Sequence, residues 1–517
     1  MNQLKKLPIG IQSLEKIING NYLYVDKTPL ILDLSQTGQY YFLSRPRRFG
    51  KSLLIDTFKE LFSANQSLFQ GLYAENNWNW SVSYPVINIS FSDGINKHSE
   101  ETRTSIKAQL QINANRLGVC MTASDIAIQF QQLITEVYNK YQQKVVVLID
   151  EYDKPILDRI NEPDIAYDIR EELKNLYSVI KGQDAYLQFV FITGVSKFSK
   201  VSLFSGLNNL EDITLNKRYS SLCGYTQYDL NTLFKPYLVN ADKEQIKQWY
   251  NGYQWLGESV YNPFDILLFI KNDLDFRNYW FETGTPSFLI KLIDKNHYFI
   301  PDLENITADE DLLGSFDIDS IQLEVILFQA GYLTIRNTKK MGVRNIYQLG
   351  YPNIEVQYAL NNHILNYLTQ QQTIKNKHQN SIYQVLASAD LDKLDSVLKQ
   401  LFSSIPYNNF VKNKIYQYEG YYASVIYSYF ASLAVTLIAE DVTNKGRIDL
   451  TLILEGKVFI FEFKMVDNKT NDMTAMKQLK KNKYAEKYQK TACYLIAIEF
   501  NALEKNIVHY QWEQVKP

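Results

Sequence analysis

The chain has 517 residues, more than one ordinary core organises, so two or three domains are expected. Apolar residues make up 46% and charged residues 21%, the balance of a globular protein, and a net charge of −2 excludes a global basic field that would attract nucleic acid. Three scattered cysteines (Cys120, Cys223, Cys493) exclude a zinc cluster and a disulfide framework and fit a reducing cytoplasm; there is no apolar signal core at the amino terminus and no apolar run long enough for a spanning helix.

Residues 1–235 alternate strand-like and helix-like segments, which argues for an α/β fold with a parallel sheet. The strands are expected at Tyr40–Leu43, Pro85–Phe91, Val145–Ile149, Leu187–Thr193 and Asp212–Leu215. A helix is expected over Lys51–Phe62, because Leu54, Thr57, Phe58 and Leu61 fall on one face. The first strand runs through Ser44-Arg45-Pro46-Arg47-Arg48-Phe49-Gly50-Lys51-Ser52 into that helix. Strand, loop ending Gly-Lys-Ser, then helix is the context a phosphate loop requires. Gly50 and the helix start would offer N–H groups, Lys51 would reach the outer phosphates of ATP, and Ser52 would hold Mg²⁺. Arg45 stands where the usual first glycine belongs. Arg45, Arg47 and Arg48 either contact phosphate or form a solvated face, and Arg48 is taken into the nucleotide-binding set.

The strand Val145–Ile149 ends in Asp150-Glu151. In such a site Asp150 holds Mg²⁺ and Glu151 activates the attacking water. Thr193 or Ser196, at the end of the next strand, could sense the γ-phosphate.

From 236 to 375 the pattern turns mainly helical and aromatic (Trp249, Tyr250, Tyr253, Trp255, Tyr279, Trp280, Phe281), and is read as a lid. The polar stretch Thr369–Asn380 is taken as a boundary. Residues 376–517 form a third domain. There, Val425 to Ala439 reads as one buried helix, and Cys493–Ile498 as the last strand.

Two apolar runs flank Glu455-Gly456, a two-residue hairpin turn. If Leu454 faces Lys457, counting back sets Asp449 opposite Glu462. Opposed carboxylates repel unless a cation lies between them or one is protonated. Alternation puts Lys464 on the face of Glu462 and Phe459, Phe461 and Phe463 on the other. Such a face can hold a hard divalent metal and one point charge for a phosphate or water. Glu419, at the start of a helix-like stretch, is a candidate further metal ligand, with Glu440 its competitor. Lys477 to Lys490 carries six lysines, and Lys480, Lys483, Lys487 and Lys490 would share one helix face. That stripe either neutralises nucleic-acid phosphates or is a solvated face.

Arg45-Pro46-Arg47-Arg48-Phe49-Gly50-Lys51-Ser52, preceded by Tyr24-Val25-Asp26-Lys27-Thr28, resembles the AAA-ATPase-like proteins fused to a PD-(D/E)XK nuclease domain. Thr193-Gly194-Val195-Ser196-Lys197-Phe198, Phe204 to Leu210, Trp249-Tyr250-Asn251-Gly252-Tyr253, Tyr261-Asn262-Pro263 and Gly331-Tyr332-Leu333-Thr334 extend the likeness over nearly the whole chain. The resemblance implies a P-loop ATPase sheet, a helical lid and a carboxy-terminal α/β nuclease-like fold. It implies Asp449 and Glu462 as ligands of Mg²⁺ or Mn²⁺, the Phe463 carbonyl completing the shell, and Lys464 positioning the attacking water. Gln478 and Tyr484 match family phrases and would approach the substrate. The expected function is an ATP-regulated, metal-dependent nuclease acting on DNA, with RNA open as a substrate. The alternative is a nucleotide-switched regulator that binds nucleic acid or protein without cutting. A homo-oligomer stays open, since no arginine can be assigned to a neighbour's site.

Overall fold

The computed structural model describes residues 4–94, 97–197, 203, 209–280, 289–290, 292–293, 298–314, 322–369, 372–405, 419–466, 473–488 and 491–515. The chain divides into two compact units, Met1–Trp280 with Thr307–Gln348, and Phe281–Ile306 with Leu349–Pro517. The expected boundaries at 235 and 375 do not coincide with this division. The aromatic stretch belongs to the first unit because Tyr250, Phe269 and Tyr279 share a core cluster with Leu23 and Val25. Nor does the polar stretch Thr369–Asn380 separate domains: it spans parts of two helices, Ile354–Thr369 and Gln372–Ser388.

The first unit is built on β1 (Tyr40–Ser44), β2 (Val86–Ser90), β3 (Val145–Asp150), β4 (Leu187–Gly194) and β5 (Glu211–Asp212). They form a parallel sheet in the order β2-β3-β4-β1-β5. Every residue of β1 and β3 is buried, as a parallel sheet covered on both faces requires. Helix α1 (Lys51–Phe62) has the expected limits and buries Leu54, Phe58 and Leu61. Strand β5 is shorter than expected, because at its end the Thr214 hydroxyl accepts the Ser44 N–H at 3.0 Å. A second, three-stranded sheet joins β6 (Ile306–Asp309), β8 (Arg344–Gly350) and β7 (Thr334–Met341) in the order β6-β8-β7.

In the second unit, α2 (Glu419–Ala431) is followed by β9 (Thr436–Thr443), β10 (Gly446–Leu454) and β11 (Lys457–Met465). After α3 (Thr474–Asn482) come β12 (Ala492–Asn501) and β13 (Asn506–Val515). The order is β13-β12-β11-β10-β9, with β11 and β12 parallel and the other pairs antiparallel. The single helix expected from Val425 to Ala439 is therefore two elements. The helix stops at Ala431, the chain turns at Ala434 (φ +56°), and the β-branched run Val435, Thr436, Ile438 enters a strand. β12 is not the last strand either, since the half-exposed β13 follows and covers its edge.

Candidate active sites

In the first unit β1 delivers the chain into loop 45–50, and α1 starts at Lys51 on a left-handed Gly50 (φ +86°). The Lys51 ammonium donates to the Arg45 and Pro46 carbonyls, each at 3.0 Å, so the cation is held within the loop. The Ser52 hydroxyl donates to Asp150 Oδ2 at 2.6 Å, and Thr193 Oγ1 donates to Asp150 Oδ1 at 2.6 Å. Ser52 opens α1 and Asp150 ends β3, 98 residues on, and they meet as the pair that brackets Mg²⁺ in P-loop enzymes. Glu151 sits beside them at φ +53°. Burial raises its pKa, with Lys51 opposing the rise and Asp150 adding to it.

Thr193 and Ser196 have different fates. Thr193 orients Asp150. Ser196 is turned away from any phosphate: its hydroxyl and its N–H both donate to Asp153 Oδ2, at 2.5 and 2.6 Å. Asp153, fully buried, also accepts the Val195 N–H and so fixes the end of β4. Sequence reasoning missed it, although an acid three residues beyond Asp150 was there to be seen.

Arg45 is neither a phosphate contact nor part of a solvated face. It is 0% exposed and donates to the carbonyls of Ser44 (2.8 Å), Thr214 (3.0 Å) and Tyr219 (3.2 Å). Its guanidinium lies 4.1 Å from the ring centroid of Trp255. Burial lowers its pKa to about 10, still far above neutrality, so the charge stays. Arg48 is exposed, at φ +71°, with its guanidinium 4.4 Å over the Phe264 ring. Arg47 is exposed too, and its positive charge acts on Glu151.

The scattered aromatic phrases converge on this loop. Phe49, 1% exposed, meets Tyr253 at 4.8 Å and Trp255 at 5.5 Å between centroids. Gly331 (φ +89°) lies against Pro46, where an added Cβ would come within 2.7 Å of the proline ring. No side chain is tolerated there without moving the loop. The phrase members Phe198 and Phe204 to Asn208 lie outside the described residues, as does Phe281.

In the second unit the hairpin forms as expected, with Leu454 facing Lys457 and Glu455 and Gly456 both at positive φ (48° and 73°). The ladder continues to Leu450 opposite Phe461, and beyond it the Phe463 N–H donates to Asp449 Oδ2 at 2.8 Å. Val458 and Ile460 pack with Met476 and Leu479 of α3, whereas Phe461 meets Phe430 of α2 at 5.0 Å. The alternation read from the sequence is therefore present along β11.

Glu462 is 0% exposed, and neither carboxylate oxygen has a hydrogen-bond partner among the described residues. Its neighbour is the Lys464 ammonium, 3.4 Å from Oε1. Burial first, then the charge of Asp449, pushes the Glu462 pKa up to about 8, against the pull of Lys464. Burial raises Asp449 as well, against its bond from Phe463. For Lys464 burial acts downward, but Glu419, Glu462 and Asp449 outweigh it and raise the pKa. Glu419 stands 3.9 Å from the same ammonium and accepts the Met465 N–H at 3.1 Å. Its competitor Glu440 is ion-paired with Arg447. Glu419, Glu440, Asp449, Tyr427 and Phe463 line a cavity of ≈ 60 Å³. A residue missed in the sequence, Glu304, braces this region by accepting from Tyr427 Oη (2.6 Å) and the Ala439 N–H (2.8 Å).

The lysine-rich helix is not continuous. α3 ends at Asn482, Lys483 turns left-handed (φ +48°), and a short 3₁₀ segment, Tyr484–Tyr488, follows. Lys480 pairs with Glu513 at 2.5 Å, and Lys487 is tied to Asp441. Tyr484 is 2% exposed, its hydroxyl donating to the Arg447 carbonyl at 2.8 Å, so it braces β10 and is withdrawn from substrate. Gln478 is half-buried on α3, and Lys490 lies outside the described residues.

A nucleotide-type loop and an Asp…Glu-x-Lys hairpin on one chain define a two-module class, and comparison with known proteins agrees. Residues 8–204 match the family model described as predicted AAA-ATPase, and residues 417–510 match the PD-(D/E)XK nuclease superfamily. The chain belongs to the family that joins these two domains. It is 46% identical over 515 residues, 99% of each chain, to a protein of Azotobacter chroococcum mcd 1 named "Uncharacterized protein in vnfD 5'region". Among the described residues no helix is long and apolar enough to cross a membrane.

Proposed function

We propose that the protein binds and hydrolyses ATP in its first unit and cleaves phosphodiester bonds in DNA with a divalent metal in its second. The observation that carries the nuclease reading is Glu462, a fully buried carboxylate without a hydrogen bond among the described residues, beside Asp449 and balanced only by the Lys464 ammonium at 3.4 Å. An acid in that setting gains from a cation it can share with its neighbour. Mg²⁺ or Mn²⁺ fits Asp449, Glu462 and the Phe463 carbonyl, because such ions keep several waters and need only one or two carboxylates. When bound, the ion supplies charge neutralisation and a more acidic water. Lys464 is then free to orient that water or a phosphate oxygen, with Glu419 holding the ammonium in place. In the first unit Lys51 and Arg47 would meet the phosphates, Ser52 and Asp150 would hold Mg²⁺ with Thr193 setting Asp150, and Glu151 would take the proton of the attacking water. Burial, by raising its pKa, makes it a stronger base than an exposed glutamate.

The rival reading, a nucleotide-switched regulator without cleavage, has one observation behind it. Among the described residues no three His, Cys, Asp or Glu side chains stand together as a ready-made metal shell. Plasmid nicking with Mg²⁺ or Mn²⁺, with and without ATP, separates the two. Asp449→Ala should abolish nicking. A variant that cuts like the parent removes the nuclease assignment, and a parent that never cuts favours the regulator.

A further inference from the structure

The β7–β8 hairpin has no role in either site, yet its surface is strongly cationic. From Thr334 to Gly350 the chain carries Arg336, Lys339, Lys340 and Arg344 and no acidic residue, in a protein whose net charge is −2. All four cations are exposed, and Lys339, Lys340 and Arg344 form no ion pair among the described residues. β7 is an edge strand, with six successive exposed residues from Arg336 to Met341. Lysines on an edge strand ordinarily discourage sheet-to-sheet aggregation. That explanation does not cover the tip, where Met341 is 67% and Val343 96% exposed around the turn at Gly342. Apolar side chains at the point of a protective edge would defeat its purpose.

We propose that this hairpin is a DNA-gripping finger: its cations lie on the backbone phosphates of a duplex, and Met341 and Val343 press against the bases in the groove. A two-stranded ribbon fits the major groove, and apolar tips are the residues that contact thymine methyls or open a base step. Charge complementarity singles out a polyanion among the partners an apolar-tipped ribbon could meet. The finger is rooted on the phosphate loop. Thr334 Oγ1 accepts the Gln254 N–H at 2.8 Å, between Tyr253 and Trp255, and Gly331 lies on Pro46. On the other strand, Asn345 Nδ2 and Tyr347 Oη both donate to Glu310 Oε1 at 2.8 Å. A load on the hairpin therefore reaches the residues that surround Lys51.

The inference rests on the nucleic-acid reading above but not on cleavage. The test is fluorescence anisotropy of a labelled DNA duplex with the full chain in EDTA, across a salt series. Lys339→Gln/Lys340→Gln/Arg344→Gln should weaken binding at least about tenfold near 0.1 M salt and lower the slope of log K against log salt by about three. Each single substitution should lower it by about one. Met341→Ser/Val343→Ser should weaken binding with the slope kept. An unchanged slope and affinity in the triple variant overturns the proposal, as does a parent that binds no duplex. A variant that alters self-association and leaves DNA binding alone also overturns it, in favour of a protein contact. Because no metal is present, this outcome and the nicking result for Asp449→Ala are read independently.

Discussion

Glu462→Gln makes the sharpest demand on the second site, because it should stabilise the metal-free protein. The folded-state pKa of Glu462 is pushed from 4.5 to about 8, a difference worth about 5 kcal/mol at 1.36 kcal/mol per unit. A raised carboxyl pKa favours the protonated folded state. The stability it confers is complete below pH ~4.5 and is lost as pH rises through about 8. Glutamine, neutral throughout, escapes that loss. In EDTA the variant and parent should therefore unfold alike below about pH 4, differ by about 1 kcal/mol at pH 5 and about 3 kcal/mol at pH 7, and by up to about 5 kcal/mol above pH 8. Urea unfolding at these pH values reads the gap directly, with Trp512 as the single tryptophan of the second unit. Adding Mg²⁺ should then raise the parent and not the variant, by about 2.7 kcal/mol at a hundred times the dissociation constant. A gap that is flat with pH, or a parent more stable than the variant at pH 8.5 in EDTA, refutes the claim that this carboxylate is held against its preference.

Lys51→Ala should abolish ATP binding measured by isothermal calorimetry, since the sole ammonium held inside the loop is removed; unchanged affinity refutes the phosphate-loop assignment. Arg45→Gly restores the glycine customary in such loops, and yet it should weaken ATP binding and cost about 3 kcal/mol of stability. Three buried carbonyls each lose a hydrogen bond and Trp255 loses its cation–π contact. Tighter ATP binding by that variant sinks the strut role of Arg45.

Both candidate sites were legible in the sequence because each is carried by local chemistry. Gly50-Lys51-Ser52 lies at a strand–helix junction, and the Glu455-Gly456 turn fixes its own register as far as Leu450 opposite Phe461, next to Asp449 and Glu462. What stayed hidden depends on distant partners. Arg45 reads as a surface cation until Thr214, Tyr219 and Trp255 are folded around it. Lys487 reads as part of a basic helical face, and Tyr484 as a substrate contact, until Lys483 turns left-handed and the two are drawn to Asp441 and Arg447. The run from Val425 to Ala439 is mostly apolar, with only Ser428, Ser432 and Thr436 between, and periodicity alone does not distinguish a buried helix from a helix followed by a buried strand. The division into units was missed for the same reason, since the affinity of the aromatic stretch for Leu23 and Val25 leaves no local trace.

The grip of Gly331 and Trp255 on the phosphate loop also sets a timetable for biogenesis. At a ribosome adding 5–20 residues per second, the loop is synthesised roughly 15–60 s before the last residue of its unit emerges. For roughly the first 10–40 s of it, until Tyr253 and Trp255 are made, Phe49 and the Arg45 guanidinium lack the aromatic bed they later occupy. A fragment ending near residue 204, where the ATPase-type match stops, would stay in that unfinished condition permanently. Expression of the first unit therefore has to extend through the β7–β8 ribbon, and a shorter piece should be recovered as aggregate.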